Sequence, residues 1–134
     1  MKKIKLKIAH KDKRGVIIDL LDNIKINSIT LITIKKGHVR GNHYHKKTWQ
    51  WNYVISGKMK LIILKKNKKK EILLGPGKLA LSPPNVPHTL KGISFCKCLV
   101  FTKGPRSGKN YETDNIRLKN KVVYPKLNLE ESKI

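Results

Sequence analysis

The sequence predicts an all-β protein, a small barrel or double-sheet jelly roll, built as a single domain of 134 residues. Short runs rich in β-branched residues alternate between two kinds of side chain with a period of two. Glycine and proline clusters separate these runs at short intervals. No stretch has a helical period longer than about two turns. Many short strands joined by such turns are typical of closed barrels and jelly rolls.

The predicted strands follow the apolar runs in chain order. They cover residues 24–34, 49–56, 58–64, 71–74, 79–81 and 95–102. The second of them has two distinct faces, because tryptophan, tyrosine and isoleucine alternate with smaller or polar residues. Gly57, Asn67 and the Gly75–Gly77 segment mark the turns, and three prolines disfavour regular structure just before His88. We expect the barrel core to span about 24–103, and the polar tail 104–134 to wrap it as a loop.

Three histidines and a glutamine have a spacing that predicts a polar pocket. Alternate residues of a strand point the same way, so His43 and His45 direct two imidazoles into one cavity. Gln50 follows on the next strand, and His88 arrives from a later one. Such a cluster suits either acid–base chemistry or a metal ion. His10 and His38 are expected to be ordinary polar residues.

The formal net charge of +23 first suggests an anionic partner. Only four of the 31 basic residues are arginine, whereas recognition of base edges and phosphates favours arginine. The lysines are also dispersed along the chain, as they are in proteins encoded by DNA rich in A and T. We therefore interpret the charge as a solvated surface that attracts small anions, and nucleic acid as an unlikely partner.

The cysteines and the apolar runs indicate the compartment. Cys96 and Cys98, the two cysteines of the chain, are interpreted as reduced core residues. The basic N-terminus is not followed by the apolar region of a signal peptide. No apolar run approaches the roughly 18–20 residues of a membrane span. These observations predict a soluble, cytoplasmic protein.

The histidine spacing resembles the two motifs of the cupin superfamily, Gly-x5-His-x-His-x3/4-Glu-x6-Gly and Gly-x5-Pro-x-Gly-x2-His-x3-Asn. The matching positions are Gly37, His43, His45 and Gly57, followed by Gly77, Pro83 and His88. Gln50 stands where glutamate is usual, Asn85 replaces a glycine, and Gly92 occupies the asparagine position. The resemblance implies a single cupin barrel.

A narrower resemblance lies within the first motif. Arg40–Gln50 is similar to a stretch of the sugar-nucleotide 3,4-ketoisomerases, small cupins that make deoxysugars for surface polysaccharides. Asp12–Gly15 and Tyr111–Arg117 resemble an opening and a closing segment of the same family. The Arg-Gly-Asn-His-Tyr-His stretch equally resembles the cupin domains of capsule-biosynthesis reductases, which hold a metal. Both resemblances imply a nucleotide-linked sugar as the partner.

The ketoisomerase resemblance implies a metal-free mechanism. His45 would remove the proton beside the sugar ketone, with His43 shuttling or orienting it, since imidazole titrates near working pH. Arg40 would hold a phosphate or the developing oxyanion. Gln50, Tyr53 and His88 would complete the substrate site. The family carries an acidic tyrosine on the strand before the Arg-Gly motif, but Ile29–Ile34 has none, which leaves Tyr44 or Tyr53 as the acid.

Two alternatives use the same pocket. In the first, His43, His45 and His88 bind a divalent ion, with Gln50 as a weak fourth ligand, and zinc, nickel, iron and manganese all fit such a set. That ion would support dioxygenase-like chemistry or hold the pocket together. In the second, the barrel binds a sugar without turnover. In every case the resemblance implies a homodimer, because pairing covers an exposed sheet edge.

Overall fold

The structure, a computed structural model, describes residues 2–66, 68–106 and 108–118. In chain order the described residues form β1 (Lys2–Ile4), β2 (Ile8–Asp12), β3 (Gly15–Ile18), β4 (Ser28–Ile34), β5 (Val39–His45), β6 (Trp49–Ser56), β7 (Met59–Lys65), β8 (Lys68–Leu74), β9 (Leu79–Ser82), β10 (His88–Gly92), β11 (Cys96–Lys103), α1 (Gly108–Asp114) and β12 (Asn115–Arg117). The predicted all-β class is confirmed. Within this part of the chain, no helix is long and apolar enough to cross a bilayer.

Two five-stranded antiparallel sheets make up the jelly roll. The first, sheet 1, has the order β1-β9-β6-β11-β4, and the second, sheet 2, has the order β12-β5-β10-β7-β8. β2 and β3 form a separate two-stranded hairpin. Strands that are distant in sequence become neighbours in this arrangement, so that β5 pairs with β10 and β6 pairs with β11. β5, which carries His43 and His45, and β10, which carries His88, therefore lie side by side.

The space between the sheets is apolar at one end and polar at the other. Val54, Met59, Leu61, Leu74 and Cys98 are fully buried at the apolar end. Along several strands the inward-facing side chains change from apolar to polar with distance from this core. On β6, for example, buried Val54 is preceded on the same face by polar positions 52 and 50. Burial of the apolar side chains stabilises the closed end by roughly 25 cal/mol per Å2, and the polar end is left to form a cavity.

The cysteines belong to the apolar end, as the sequence predicts. Cys96 and Cys98 are both free thiols and both fully buried.

Gly57, which follows the end of β6, shows how closely the turn between β6 and β7 approaches the rest of the chain. Its φ of +78° lies in the left-handed region, and a Cβ built on it would stand 2.0 Å from the carbonyl oxygen of Phe95. Only glycine fits this turn.

The strand predictions agree with the structure in the middle of the chain and differ at its ends. The strand expected over 24–34 begins at Ser28 instead, and the N-terminal strands β1, β2 and β3 had no predicted counterpart. The expectation of a loop from residue 104 onward is wrong for 108–117, which form α1 and β12. β12 is too short for its pattern to signal a strand, and it is held by pairing with β5. Asn67 and residues 119–134 lie outside the described residues.

Candidate functional site

The pairing of β5 with β10 brings the three histidines together. His43 lies opposite His88 across the two strands, and a register shift follows immediately between positions 88 and 89. The ring centroid of His43 lies 4.8 Å from those of both His45 and His88, while His45 and His88 are 5.8 Å apart. Gly41 permits this close approach, because at its φ of +101° a Cβ would stand 3.0 Å from the carbonyl oxygen of His88.

The histidines line a cavity of about 130 Å3 between the two sheets. Five of the predicted site residues meet there, namely Arg40, His43, His45, Gln50 and His88. The remaining lining residues are Thr30, Ile32, Gly41, Asn52, Leu90, Val100, Arg106 and Tyr111. The cavity is thus polar on its histidine side and apolar beside Ile32, Leu90 and Val100.

Tyr53 is not part of this cavity, so its expected contact with substrate is not supported by the geometry. Tyr53 alternates along β6 with Asn52 and Val54, whose side chains are buried between the sheets. Successive side chains on a strand point to opposite faces, which places Tyr53 on the outer face of sheet 1. Tyr44 is likewise absent from the lining, because it lies between His43 and His45 on β5.

Burial keeps the imidazoles neutral. Desolvation, reinforced by the neighbouring His88 and His45, lowers the pKa of His43 to about 2. Burial likewise lowers the pKa of His88 to about 4, with a further contribution from His45. The Nδ1–H of His88 donates to the carbonyl oxygen of Val86 at 3.2 Å, which leaves the lone pair on Nε2. Neutral rings can act as bases or as metal ligands.

His45 has a buried carboxylate behind it. Its Nδ1 lies 3.4 Å from Oδ2 of Asp114, and both side chains are almost completely buried. Burial lowers the pKa of His45, while the charge of Asp114 acts in the opposite direction. A carboxylate beside Nδ1 favours the tautomer with a proton on Nδ1 and a lone pair on Nε2. His45 therefore differs from the other two imidazoles in having an anionic partner.

Asp114 is itself held firmly at the end of α1. Its Oδ1 accepts the backbone N–H of Lys47 at 2.6 Å, and its Oδ2 accepts the hydroxyl of Thr48 at 2.5 Å. The backbone N–H of Lys46 donates to the carbonyl oxygen of Asp114 at 3.0 Å. These bonds tie the C-terminal segment to the loop after β5, and they satisfy a buried charge that would otherwise be costly.

Two arginines flank the cavity. Arg40 donates through Nε to the carbonyl oxygen of Thr33 at 3.1 Å, which fixes the side chain and leaves its terminal nitrogens available. The guanidinium carbon of Arg106 lies 5.3 Å from the ring centroid of Tyr111. A larger groove of about 960 Å3 adjoins the cavity at Arg106, and Lys46 and Lys47 also line it. The cavity thus offers neutral imidazoles, and Arg40, Arg106, Lys46 and Lys47 surround it and the adjoining groove with positive charge.

Sequence reasoning did not assign roles to Arg106, Tyr111, Asp114 or Asn52. The resemblance of Tyr111–Arg117 to a family segment drew attention to two of them, but nothing in their spacing indicated a contact with His45. Asn52 donates to Oγ of Ser82 at 3.2 Å and could only be placed by the pairing of β6 with β9. Arg106 follows the end of β11, and no residue pattern around it predicts a position in the cavity.

Several buried polar atoms of the cavity have no hydrogen-bond partner among the described residues. They include Nδ1 of His43 and both ring nitrogens of His45, the Nδ1 contact with Asp114 being longer than a good hydrogen bond. Buried polar groups are rarely left unsatisfied. Nδ1 of His43 and Nε2 of His45 are therefore open to a hydrogen bond with a molecule bound in the cavity, whereas Nδ1 of His45 faces Asp114.

The donor set also suits a metal ion chemically. One ligand atom from each of His43, His45 and His88 falls in a group whose members all lie within 4.8 Å of one another. At a typical zinc–nitrogen distance of about 2.1 Å, two nitrogens on one ion stand at most about 4.2 Å apart. The cluster would therefore have to contract slightly to coordinate an ion with all three rings.

Comparison with known proteins agrees with this geometry. The family model described as a cupin domain matches residues 30–101, which is more than half of the chain. Comparison with curated protein sequences gives no match. The chain is similar to the structure of QdtA, a sugar 3,4-ketoisomerase from Thermoanaerobacterium thermosaccharolyticum in complex with TDP. The TM-score is 0.74 at 26% identity, over 98% of this chain and 94% of that one.

Two more distant structures share the fold. The TDP-quinovose 3,4-ketoisomerase WlaRB from Campylobacter jejuni has a TM-score of 0.74 at 22% identity, covering 91% of this chain and 95% of that one. The dTDP-4-dehydrorhamnose 3,5-epimerase from Sulfolobus tokodaii has a TM-score of 0.69 at 16% identity, covering 90% and 77%. At these identities the similarity concerns the architecture of the barrel.

Proposed function

This chain belongs to the cupin family, and on that premise we propose that it is an isomerase or epimerase of a nucleotide-linked keto-sugar. The observation that carries the proposal is the cluster of neutral imidazoles at His43, His45 and His88, enclosed in one cavity whose rim is cationic. The similarity to a TDP-bound sugar 3,4-ketoisomerase over almost the full chain supports it. We place the reaction in the cytoplasm and in the synthesis of cell-surface polysaccharides, the setting implied by that resemblance.

His45 is the proposed base. Abstraction of a proton from carbon next to a ketone needs a neutral imidazole whose lone pair faces the substrate, and burial keeps His45 in that form. When His45 takes the proton it becomes positively charged, and the carboxylate of Asp114 beside Nδ1 stabilises that charge. His43, which has no such partner and is the harder ring to protonate, orients the substrate or relays the proton.

The nucleotide diphosphate would lie at the cationic side of the site. Arg40 and Arg106 reach the cavity itself, and Lys46 and Lys47 line the adjoining groove. Guanidinium groups bind phosphate oxygens in a bidentate way that lysine cannot reproduce. A histidine-to-asparagine mutant of the similar ketoisomerase forms a complex with TDP-4-keto-6-deoxyglucose, which supports this substrate class.

The proposal is tested by incubating the purified protein with TDP-4-keto-6-deoxyglucose in deuterated water. We expect conversion to an isomeric keto-sugar, as measured by NMR, with deuterium at the carbon that receives the proton only to the extent that the proton on His45 exchanges with solvent before it is returned. A protein that binds TDP yet leaves the sugar unchanged and undeuterated would indicate a sugar-binding cupin without turnover.

A second candidate function is that of a metal-binding cupin, favoured by the close grouping of ligand atoms from His43, His45 and His88. A bound divalent ion such as zinc, nickel, iron or manganese would supply Lewis acidity, with Gln50 near enough to be a weak further ligand. Elemental analysis of untagged protein separates the two functions. About one ion per chain, lost in His45→Ala, supports the metal cupin.

We also propose that the protein is a homodimer. Ile8 and Val16 on the β2–β3 hairpin, and Ile29 and Leu31 on β4, are at least half exposed although they are large and apolar. A two-stranded hairpin is only marginally stable alone in water, and β4 is an edge strand. A second copy would cover these surfaces. Light scattering after size exclusion should give twice the chain mass, and Leu31→Asp should reduce it.

A further inference from the structure

Tyr111 contributes the phenol of the histidine cavity. It lies on α1, partly buried, with its ring centroid 6.4 Å from that of His45. The two tyrosines that the sequence offered as the acid, Tyr44 and Tyr53, are both outside the lining of this cavity. Among the tyrosines that the structure describes, Tyr111 is therefore the one that lines the cavity of the histidines.

The proposed isomerisation needs two kinds of proton transfer, and this inference rests on that proposed function. On carbon, one proton leaves the hydroxyl-bearing carbon and one arrives at the former carbonyl carbon. On oxygen, the carbonyl oxygen gains a proton and the neighbouring hydroxyl loses one. A single imidazole that holds the carbon-bound proton cannot supply the oxygen-bound one at the same time.

The other two histidines are poor donors for the oxygen-bound proton. The Nδ1–H of His88 is engaged by the carbonyl oxygen of Val86, so its Nε2 presents a lone pair. His43 lies between the two other rings, with its centroid 4.8 Å from each of theirs, so a positive charge on it would stand directly beside protonated His45. A phenol, in contrast, is both a donor and an acceptor and carries its proton at neutral pH.

Arg106 is placed to support charge on that phenol. Its guanidinium carbon lies 5.3 Å from the ring centroid of Tyr111, and its Nε donates to Oγ1 of Thr30, another residue of the cavity lining, at 3.4 Å. A fixed positive charge close to an oxygen that becomes negative lowers the energy of the transition state. Tyr111 can therefore exchange a proton with the substrate oxygens, with Arg106 to stabilise its phenolate and His45 to act on carbon.

We propose that Tyr111 carries the oxygen-bound proton of the reaction. As His45 takes the carbon-bound proton, the phenol O–H of Tyr111 gives its proton to the carbonyl oxygen, and a neutral enediol forms. The phenolate then takes the proton of the adjacent hydroxyl, while protonated His45 returns its proton to the former carbonyl carbon. Both enzyme groups end as they began, and the ketone has moved by one carbon.

The test compares Tyr111→Phe with wild type and with Tyr44→Phe, a matched control on β5 outside the cavity. The probe is TDP-4-keto-6-deoxyglucose, and the readouts are kcat, KM, the Kd for TDP and the thermal midpoint. We expect Tyr111→Phe to lower kcat about 100-fold or more, with KM and Kd within about threefold of wild type. Tyr44→Phe should match wild type, and Arg106→Gln should show a smaller loss of kcat.

A Tyr111→Phe variant that retains kcat within about threefold of an active wild type overturns the role of Tyr111 and leaves the proposed isomerase intact. A loss of kcat accompanied by an equal loss of TDP affinity or of thermal stability also overturns it, because Tyr111 would then be structural. A wild-type protein that binds TDP and never converts the sugar contradicts the proposed function itself, and with it this role.

Discussion

Two regions of the chain supply the ionisable side chains of the cavity, and they differ in how well the sequence pattern predicts them. The β5–β10 pair supplies His43, His45 and His88 through regular strand alternation and direct pairing. Arg106, just after β11, and Tyr111 and Asp114 on α1 form the second region, and hydrogen bonds from the loop after β5 to Asp114 hold α1 in place. The first region provides the chemistry of the imidazoles, and the second provides their charge environment. One part of a functional site can thus follow from the periodic pattern of its strands, while another part depends on a few individual hydrogen bonds.

The largest expected effect tests the β5–β10 region. His45→Ala should lower turnover of the keto-sugar nucleotide by about 1,000-fold, because it removes the proposed base. The barrel should stay folded, since His45 is not a member of the apolar core cluster. Steady-state kinetics measure the loss, and His38→Ala, an exposed position near the start of β5, is the control. Retained turnover in His45→Ala would refute its assignment as the base.

The second test concerns the same region and uses pH. His88 is neutral in the fold with a pKa of about 4, against an ordinary value of 6.5. The unfolded chain therefore takes up protons first, so the stabilisation is complete above pH 6.5 and is lost as pH falls towards 4. At about 1.4 kcal/mol per pKa unit, the loss attributable to His88 is about 3 kcal/mol.

Urea unfolding at several pH values between 7 and 4 measures this dependence. His88→Gln should make the free energy of unfolding fall less steeply with acid than in wild type, although His43 leaves part of the slope in place. His38→Gln, which changes an exposed ring, should keep the wild-type slope. Equal slopes in wild type and His88→Gln would contradict the lowered pKa.

The third test addresses the C-terminal segment. Asp114→Asn removes the charge beside His45 while keeping an oxygen that can accept one of the bonds from Lys47 and Thr48. We expect kcat to fall about 10- to 100-fold, because the protonated form of His45 loses its anionic partner. Glu112→Gln, the same chemical change at an exposed position of α1, is the control. An unchanged kcat would show that Asp114 only anchors α1 to the loop after β5 and takes no part in the reaction.

The smallest expected effect lies at the rim of the cavity, at Arg40 on β5. Arg40→Lys keeps the charge but loses the fork geometry and the bond to Thr33. KM should rise about five- to tenfold with little change in the thermal midpoint. Kinetics and thermal unfolding of the same preparation measure both quantities. An unchanged KM would count against a phosphate contact at Arg40.

The features that follow from periodic residue patterns could be predicted from the sequence. The features that depend on individual tertiary contacts could not. The alternation around Trp51 and the spacing from Gly37 to His88 indicated the strands, the barrel and the convergence of the histidines. The burial of Asp114 could not be predicted in this way, because it follows from the hydrogen bonds that hold α1 against the loop after β5. Tyr53 was assigned to the substrate site for a different reason. Gln50 and Tyr53 were both placed there, although the alternation of side chains along β6 puts them on opposite faces of the sheet, and it is Gln50 that lines the cavity.

The burial of the thiols has a practical consequence for studying α1. Burial raises the pKa of Cys98 to about 12 and also raises that of Cys96, so neither forms the thiolate that reacts with alkylating reagents near neutral pH. Towards a maleimide dye the folded chain behaves as though it had no cysteine. A single cysteine introduced at the exposed position Glu112 would carry the dye alone, and its fluorescence would report whether α1 shifts when a nucleotide occupies the neighbouring groove.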